Sequence, residues 1–207
     1  MNIQPYLIPA EAVVFEEEIK KSLFITFLAH THGTEAAKAF VDQIRKEHPA
    51  ARHHCWGVVA GRPEDSMQWG FSDDGEPSGT AGKPILAQLS GSGIGEITAV
   101  VVRYSGGIKL GTGGLVKAYG GGVQSALKMV QTIEKKITTH LKLRLDYSFI
   151  SLVQSLISQY DAVEVRSEFS EQIEMVVEIE QLVSAEFIQA LINKTGAKVQ
   201  ASELKDN

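Results

Sequence analysis

The sequence predicts an α+β protein built in two parts, and three observations predict it. Eighteen of the 19 glycines lie before residue 140, with only Gly196 after it. Charge breaks at the same place: residues 1–140 carry 14 Lys/Arg against 14 Asp/Glu, whereas the residues from 141 onward carry 6 against 11. Apolar periodicity switches repeatedly between two residues and three to four, so strands and helices alternate. A neutral, glycine-rich domain over residues 1–135 is therefore expected to precede an acidic, glycine-poor domain over residues 136–207. With 207 residues, 43% hydrophobic and 22% charged, the chain matches ordinary globular composition, which excludes disorder, collagen and coiled coil.

In the first domain, Phe24 to Leu28 reads as a strand. Ala36, Ala37, Phe40, Val41 and Ile44 mark a helix stopped by Pro49. Residues 54–60 and 97–104 read as two more buried strands. Between them a long loop from Arg62 to Ser78 leads into a short helix starting near Pro84. Leu115, Tyr119, Val123, Leu127 and Val130 share one face of a longer helix.

The second domain is more regular. Ile137, Leu141, Leu143, Leu145 and Tyr147 form one face of a strand, and Phe149, Ile150, Leu152, Val153, Leu156, Ile157 and Tyr160 form a helical stripe. Val163, Val165 and Phe169 alternate, Ser170-Glu171 turns the chain, and Ile173, Met175, Val177 and Ile179 alternate again, which is a hairpin. Ser184 can cap a helix carrying Phe187, Ile188, Leu191 and Ile192, with Gly196 at its C-terminal cap and a last strand from Lys198 to Ala201. The order βαββαβ is that of a ferredoxin-like sandwich.

The longest uninterrupted apolar run, Ala99 to Val102, is far below the roughly 20 residues of a membrane span. The first residues show no basic stretch followed by an apolar one, so secretion is not expected. Cys55 stands alone, which rules out an internal disulfide and fits a reducing cytoplasm.

Candidate chemistry concentrates in the glycine-rich stretches. Asp73 to Pro84 runs into a helix whose free N–H groups and dipole, with Lys83, would make an anion site. It is no Walker A loop, because Pro77 stands where glycine is needed and Pro84 replaces the magnesium-holding Ser/Thr. The stretch from Arg103 to Gly114 joins a strand to a helix and fails the G-x-G-x-x-G spacing of a dinucleotide site. Its glycines read equally as tight-turn geometry or as backbone approaching a phosphate. Gly120, Gly121 and Gly122 lie inside a helix, where each costs about 1 kcal/mol relative to alanine, and close packing on the sheet is the expected compensation.

Asp73, Asp74 and Glu76 are expected to pair with Lys or Arg of adjoining loops more readily than with a metal. Strand alternation sends His53 and Cys55 to one face and His54 and Trp56 to the other, so no metal ion and no cofactor is expected there, and Cys55 reads as packing. His30 and His32 near a strand end read as solvated.

Four blocks in order, Ala51–Cys55, Phe71–Pro77, Gly79–Pro84 and Gly106–Gly111, resemble the motif blocks of the IMPACT family, in its bacterial form, over almost the whole chain. Ser105 departs from the family pattern, which has a second aromatic after Tyr104. The resemblance implies an N-terminal domain of the ribosomal-protein-S5 second-domain type and a ferredoxin-like C-terminal domain, as in the last two domains of elongation factor G. It also implies a link to translation, since eukaryotic members regulate initiation through an extra N-terminal domain. No reaction is implied.

These readings lead to a non-enzymatic cytoplasmic binding protein contacting the ribosome, RNA or a translation factor. Its expected anion or RNA contacts are Lys83, Arg103, Tyr104, Gly106, Gly107, Lys109, Gly111, Gly113, Gly114 and Lys117, with His53, Asp73, Asp74 and Glu76 as a polar site. An enzyme or sensor for a small phosphorylated ligand at the same loops is the alternative. RRM-type sheets read bases with exposed aromatics. The outward positions here, Thr138, His140, Lys142, Arg144 and Asp146 on one strand and Gln172, Glu174, Val176, Glu178 and Glu180 on another, include none. That acidic sheet face is expected to meet a protein partner.

Overall fold

The computed structural model describes residues 3–204. The chain divides into two compact units, Tyr6–Lys135 and the segment from Lys136 onward together with residues 3–5.

The first unit is built on a five-stranded antiparallel sheet. Its strands, in spatial order, are β2 (Val13–Ile19), β3 (Ser22–His30), β6 (Ile97–Tyr104), β4 (His53–Val59) and β5 (Trp69–Ser72). β6 is central and buried from Ile97 to Arg103, which is why Ala99-Val100-Val101-Val102 is apolar on both faces. Helices α2 (Gly82–Gly91) and α3 (Thr112–Leu127) cover one face, burying Phe24, Leu28, Ile85, Leu89, Val101, Leu115, Tyr119 and Val123. Helix α1 (Gly33–Glu47) covers the other with Val41 and Ile44 against Ile25, Val100 and Val102. A separate two-stranded ribbon pairs β1 (Tyr6–Pro9) with β7 (Thr132–Lys135).

One expectation for this unit is corrected, and one strand was not foreseen. The stretch read as loop from Arg62 to Ser78 contains β5, a four-residue edge strand paired with β4. The hairpin of β2 and β3 turns on Lys20 and Lys21, both at positive φ (50° and 63°), the backbone that two-residue hairpin turns require and that Asn-Gly usually supplies. Lysines there carry no turn signal, so β2 was not expected.

The second unit follows the order β8 (Thr138–Leu145), α4 (Ile150–Gln159), β9 (Val163–Phe169), β10 (Ile173–Glu180), α5 (Gln181–Thr195), β11 (Gln200–Leu204). The sheet order β11-β8-β10-β9 is the ferredoxin-like arrangement. Its core holds Leu141, Leu143, Leu145, Leu156, Met175, Val177, Phe187 and Leu191. Gly196 adopts the expected left-handed cap at φ 60°. Ser184 is not the N-cap: α5 begins at Gln181, directly off β10, and the buried Ser184 hydroxyl donates back to the Gln181 carbonyl. On the sheet face expected to be acidic, Glu174 is bridged by Lys142 (2.7 Å) and Arg144 (3.0 Å) and Glu180 by Lys136 (3.1 Å), so two of its carboxylates are paired with cations.

Candidate functional site

At one end of the five-stranded sheet, the start of β4, the loop 73–81 and the end of β6 bring His53, Asp73, Asp74 and Glu76 together. Each carboxylate is engaged inside the protein. Asp73 accepts N–H bonds from Gly79 (2.8 Å), Ala81 (3.0 Å) and Gly82 (2.8 Å). Burial pushes its carboxyl up, but these three donors outweigh that and leave it below the ordinary range. Asp74 accepts from Arg45 (3.0 Å) and from the His54 N–H (2.7 Å), and His53 Nδ1 lies 2.9 Å from the Asp74 carbonyl. Glu76 is buried and accepts from both Arg103 and the Tyr119 hydroxyl at 2.7 Å. Cys55 points its thiol at the Asp73 carbonyl (2.9 Å), and burial, then the nearby carboxylates Glu76, Asp74 and Asp73, push the thiol up to about 12 despite its contact with Tyr119.

Two of the expected anion contacts change character accordingly. The N–H groups that open α2 already hold an anion, the carboxylate of Asp73, so Lys83 stands exposed beside an occupied helix terminus. Arg103 is buried and paired with Glu76, with its second nitrogen 3.5 Å from Ser22 Oγ. It therefore anchors β6 to the loop.

The loop after β6 keeps a free surface. Gly107, Ile108, Lys109, Gly111, Thr112, Gly113 and Lys117 are exposed, and Gly114 is half-buried. Tyr104 is half-buried and its hydroxyl lies 2.9 Å from His48 Nδ1. No side chain caps α3, whose N-cap is Gly111, and its first turn holds no acid. The N–H groups of that first turn therefore have no side-chain cap, and Lys109 and Lys117 are nearby in sequence. Lys83 stands on α2, which packs on α3 where Pro84 meets Gly120.

The glycines of this loop separate by cause. A Cβ at Gly106 would lie 1.8 Å from the Lys21 carbonyl oxygen, so that glycine lets the loop touch the β2–β3 turn. Gly107 and Gly111 sit at φ 80° and 76°, and a Cβ at Gly114 would press Leu110 at 3.1 Å. Gly113 has ordinary φ and nothing within 4 Å. Within α3, Gly122 faces Thr26 Oγ1 at 2.7 Å and Gly120 faces Pro84 at 3.6 Å, as close packing requires, whereas Gly121 has open space.

A second polar centre escaped the sequence reading. Glu96, at φ 50° just before β6, has a fully buried side chain that accepts from Tyr6 (2.6 Å), His30 (2.7 Å), His32 (2.9 Å) and Lys135 (2.5 Å). Burial raises its carboxyl, but the Lys135, Tyr6, His30 and His32 bonds override this and hold it at about 2. His30 and His32 are therefore carboxylate partners, not simply solvated rings. One signal was available: Glu96 is the only acid between Pro77 and Ile133.

Residues 20–127 match the family of the Impact N-terminal domain, and residues 143–198 match a domain of unknown function, DUF1949. The chain is 54% identical over 194 residues to an IMPACT family member of Haemophilus influenzae, covering 94% of each chain. It is 52% identical over 204 residues to the IMPACT family member YigZ of Escherichia coli, covering 99% of this chain and all of that one. It is 33% identical over 201 residues to YvyE of Bacillus subtilis. A crystal structure described only as that of an hypothetical protein, 52% identical, superposes over the whole of both chains with a TM-score of 0.75. No helix among the described residues is long and apolar enough to cross a membrane.

Proposed function

This chain belongs to the IMPACT family, and from that premise we propose a non-enzymatic cytoplasmic binding protein that contacts RNA or the translation apparatus through the loop from Tyr104 to Gly114 and the first turn of α3. The observation that carries this is Gly113. A glycine in a helix costs up to about 1 kcal/mol relative to alanine, and at Gly113, as at Gly121, neither backbone conformation nor packing compensates; Gly113 differs in lying in the uncapped first turn of α3, beside Lys109 and Lys117 in the sequence. A ligand drawn to the uncapped N–H groups and closing on the backbone at that point supplies the reason. Lys83, Lys109 and Lys117 are exposed and supply the charge; the buried Arg103 does not.

Gly113→Ala is the discriminating variant. It should leave stability equal or higher while weakening binding of a single-stranded RNA, read by fluorescence anisotropy. With three lysine contacts and a slope of about −0.7 per contact, affinity should fall roughly twentyfold between 50 and 200 mM salt. Sedimentation of cell extract through a gradient tests the ribosome directly: protein that stays wholly at the top, with and without crosslinker, rules out that partner.

The hollow of about 350 Å³ beside the loop, lined by Arg52, Arg103 and Tyr104 with Ser105 and Gly107, favours the second reading, a small phosphorylated ligand. Thermal-shift screening against sugar phosphates separates the two, since saturation at 100 times Kd adds about 2.7 kcal/mol.

A further inference from the structure

A cavity of the first unit lies away from the glycine loop, on the α1 face of the sheet. It encloses about 450 Å³ between α1 and the edge strand β5, within the range of small-molecule sites. Trp56 forms one wall, Val41 and Val58 with the main chain at Gly70 make an apolar floor, and Lys38 and Arg45 stand on the α1 rim. The register explains the shape. Trp56 pairs with Ser72 and Val58 with Gly70, so these four positions share one face. A Cβ at Gly70 would reach Val58 at 3.3 Å and the Trp56 ring at 3.4 Å, so the glycine keeps the space beside the ring open.

Three further features specify an occupant. Met67, 90% exposed, stands at the lip, where a pliable thioether can close over a bound ring. β5 is the edge of its sheet, so apart from the Trp69 N–H, which donates to the Ser66 carbonyl, the main-chain groups it turns away from β4 have no strand partner and can meet polar ring edges. Arg45 is held by Asp74 (3.0 Å) and flanked by Asp42 (3.6 Å), which leaves the exposed Lys38 as the rim's free cation.

We propose that this cavity binds a nucleotide unit: the base lies against Trp56 with its polar edge toward β5, and its phosphate reaches Lys38. The unit can come as free mononucleotide or as one unstacked residue of a single strand. The site is independent of the loop reading, and Gly113→Ala should leave it unchanged.

The chain provides its own probe, having only two tryptophans. Trp69 also borders the cavity, but it packs against the α2–α3 core and its register puts its side chain on the other face from Trp56, so full-length Trp69→Phe protein reports on Trp56 alone. Titration with AMP or UMP should quench its emission saturably, inorganic phosphate should not, and adenosine should bind about tenfold more weakly than AMP, the equivalent of about 1.4 kcal/mol for the lost phosphate contact. Lys38→Glu, an exposed change that leaves folding intact, should weaken AMP at least tenfold and leave adenosine unchanged. Gly70→Val should abolish both. Short oligoadenylate binding far more tightly than AMP identifies the strand as the source; AMP binding without it identifies the free nucleotide. The assignment is overturned by absence of saturable quenching, by N-acetylphenylalanine binding as tightly as AMP, or by a Lys38→Glu protein that binds AMP like the parent.

Discussion

Glu96 and Cys55 show how burial alone decides nothing about a titratable group. Both are buried, yet Glu96 meets four donors and is held at about 2, whereas for Cys55 burial, with the neighbouring carboxylates, outweighs the one favourable contact with Tyr119 and its thiol rises to about 12. Because the folded value of Glu96 lies below its ordinary one of 4.5, its contribution to stability is complete above that pH and disappears as pH falls toward 2. Glu96→Gln should lower stability at pH 7 by roughly 3 kcal/mol, the usual range for removing one partner of a buried ionic cluster. Urea midpoints measured from pH 7 to pH 2 should converge for variant and parent at the acid end; a constant difference would show that the carboxylate charge plays no part. For Cys55 the thiolate is absent at neutral pH, so iodoacetamide at pH 8 should label it only after denaturation. Cys55→Ser should keep the parent's RNA binding, since serine can make the same bond to the Asp73 carbonyl.

Among the elements, the α3 glycines give opposed predictions within two residues. Gly121→Ala should stabilise by up to about 1 kcal/mol, because its side chain meets nothing. Gly122→Ala should destabilise by about 1–3 kcal/mol, because its Cβ would press the buried Thr26. Thermal unfolding of the two variants checks both signs. Legibility follows the same physics. The ferredoxin-like half was readable because β8 and β10 each bury an apolar face and each helix a stripe, while β9 keeps the alternating apolar pattern although Val163, Val165 and Phe169 stay exposed. β5 was not, being four residues long and held at an edge, and β2 was not, because its turn uses lysines at positive φ and its glutamates fall on both faces, Glu16 and Glu18 outward and Glu17 half-buried on the inner one. The exposed lysines of the glycine loop were also readable. That Asp73 fills the α2 terminus and Glu76 captures Arg103 was not, because both depend on how the loop 73–81 curls back on itself.

At the scale of the whole molecule, glycine content and charge both change where β7 gives way to β8, with only Lys136 and Ile137 between the two strands. β7 is paired with β1 and β8 with β10 and β11, so trypsin needs local opening of those strands to cut at their ends. Lys135 is held by the buried Glu96 and Lys136 by Glu180, so the two basic residues most open to cleavage by sequence are both restrained. Limited trypsinolysis should therefore be slow and should first accumulate an N-terminal fragment ending at Lys135 or Lys136. The C-terminal remainder should be degraded faster, since a domain of about 60–70 residues buries only about 60% of its surface. Glu96→Gln frees Lys135 without touching Lys136, and it should raise the rate of that first cut while the parental fragment pattern persists. Mass spectrometry of the products decides the matter: cuts scattered through the glycine loops, with no lasting fragment, would mean that the first unit does not hold together on its own. An unchanged rate in the variant would mean that opening at this junction is governed by the β1–β7 ribbon and not by the carboxylate beneath it.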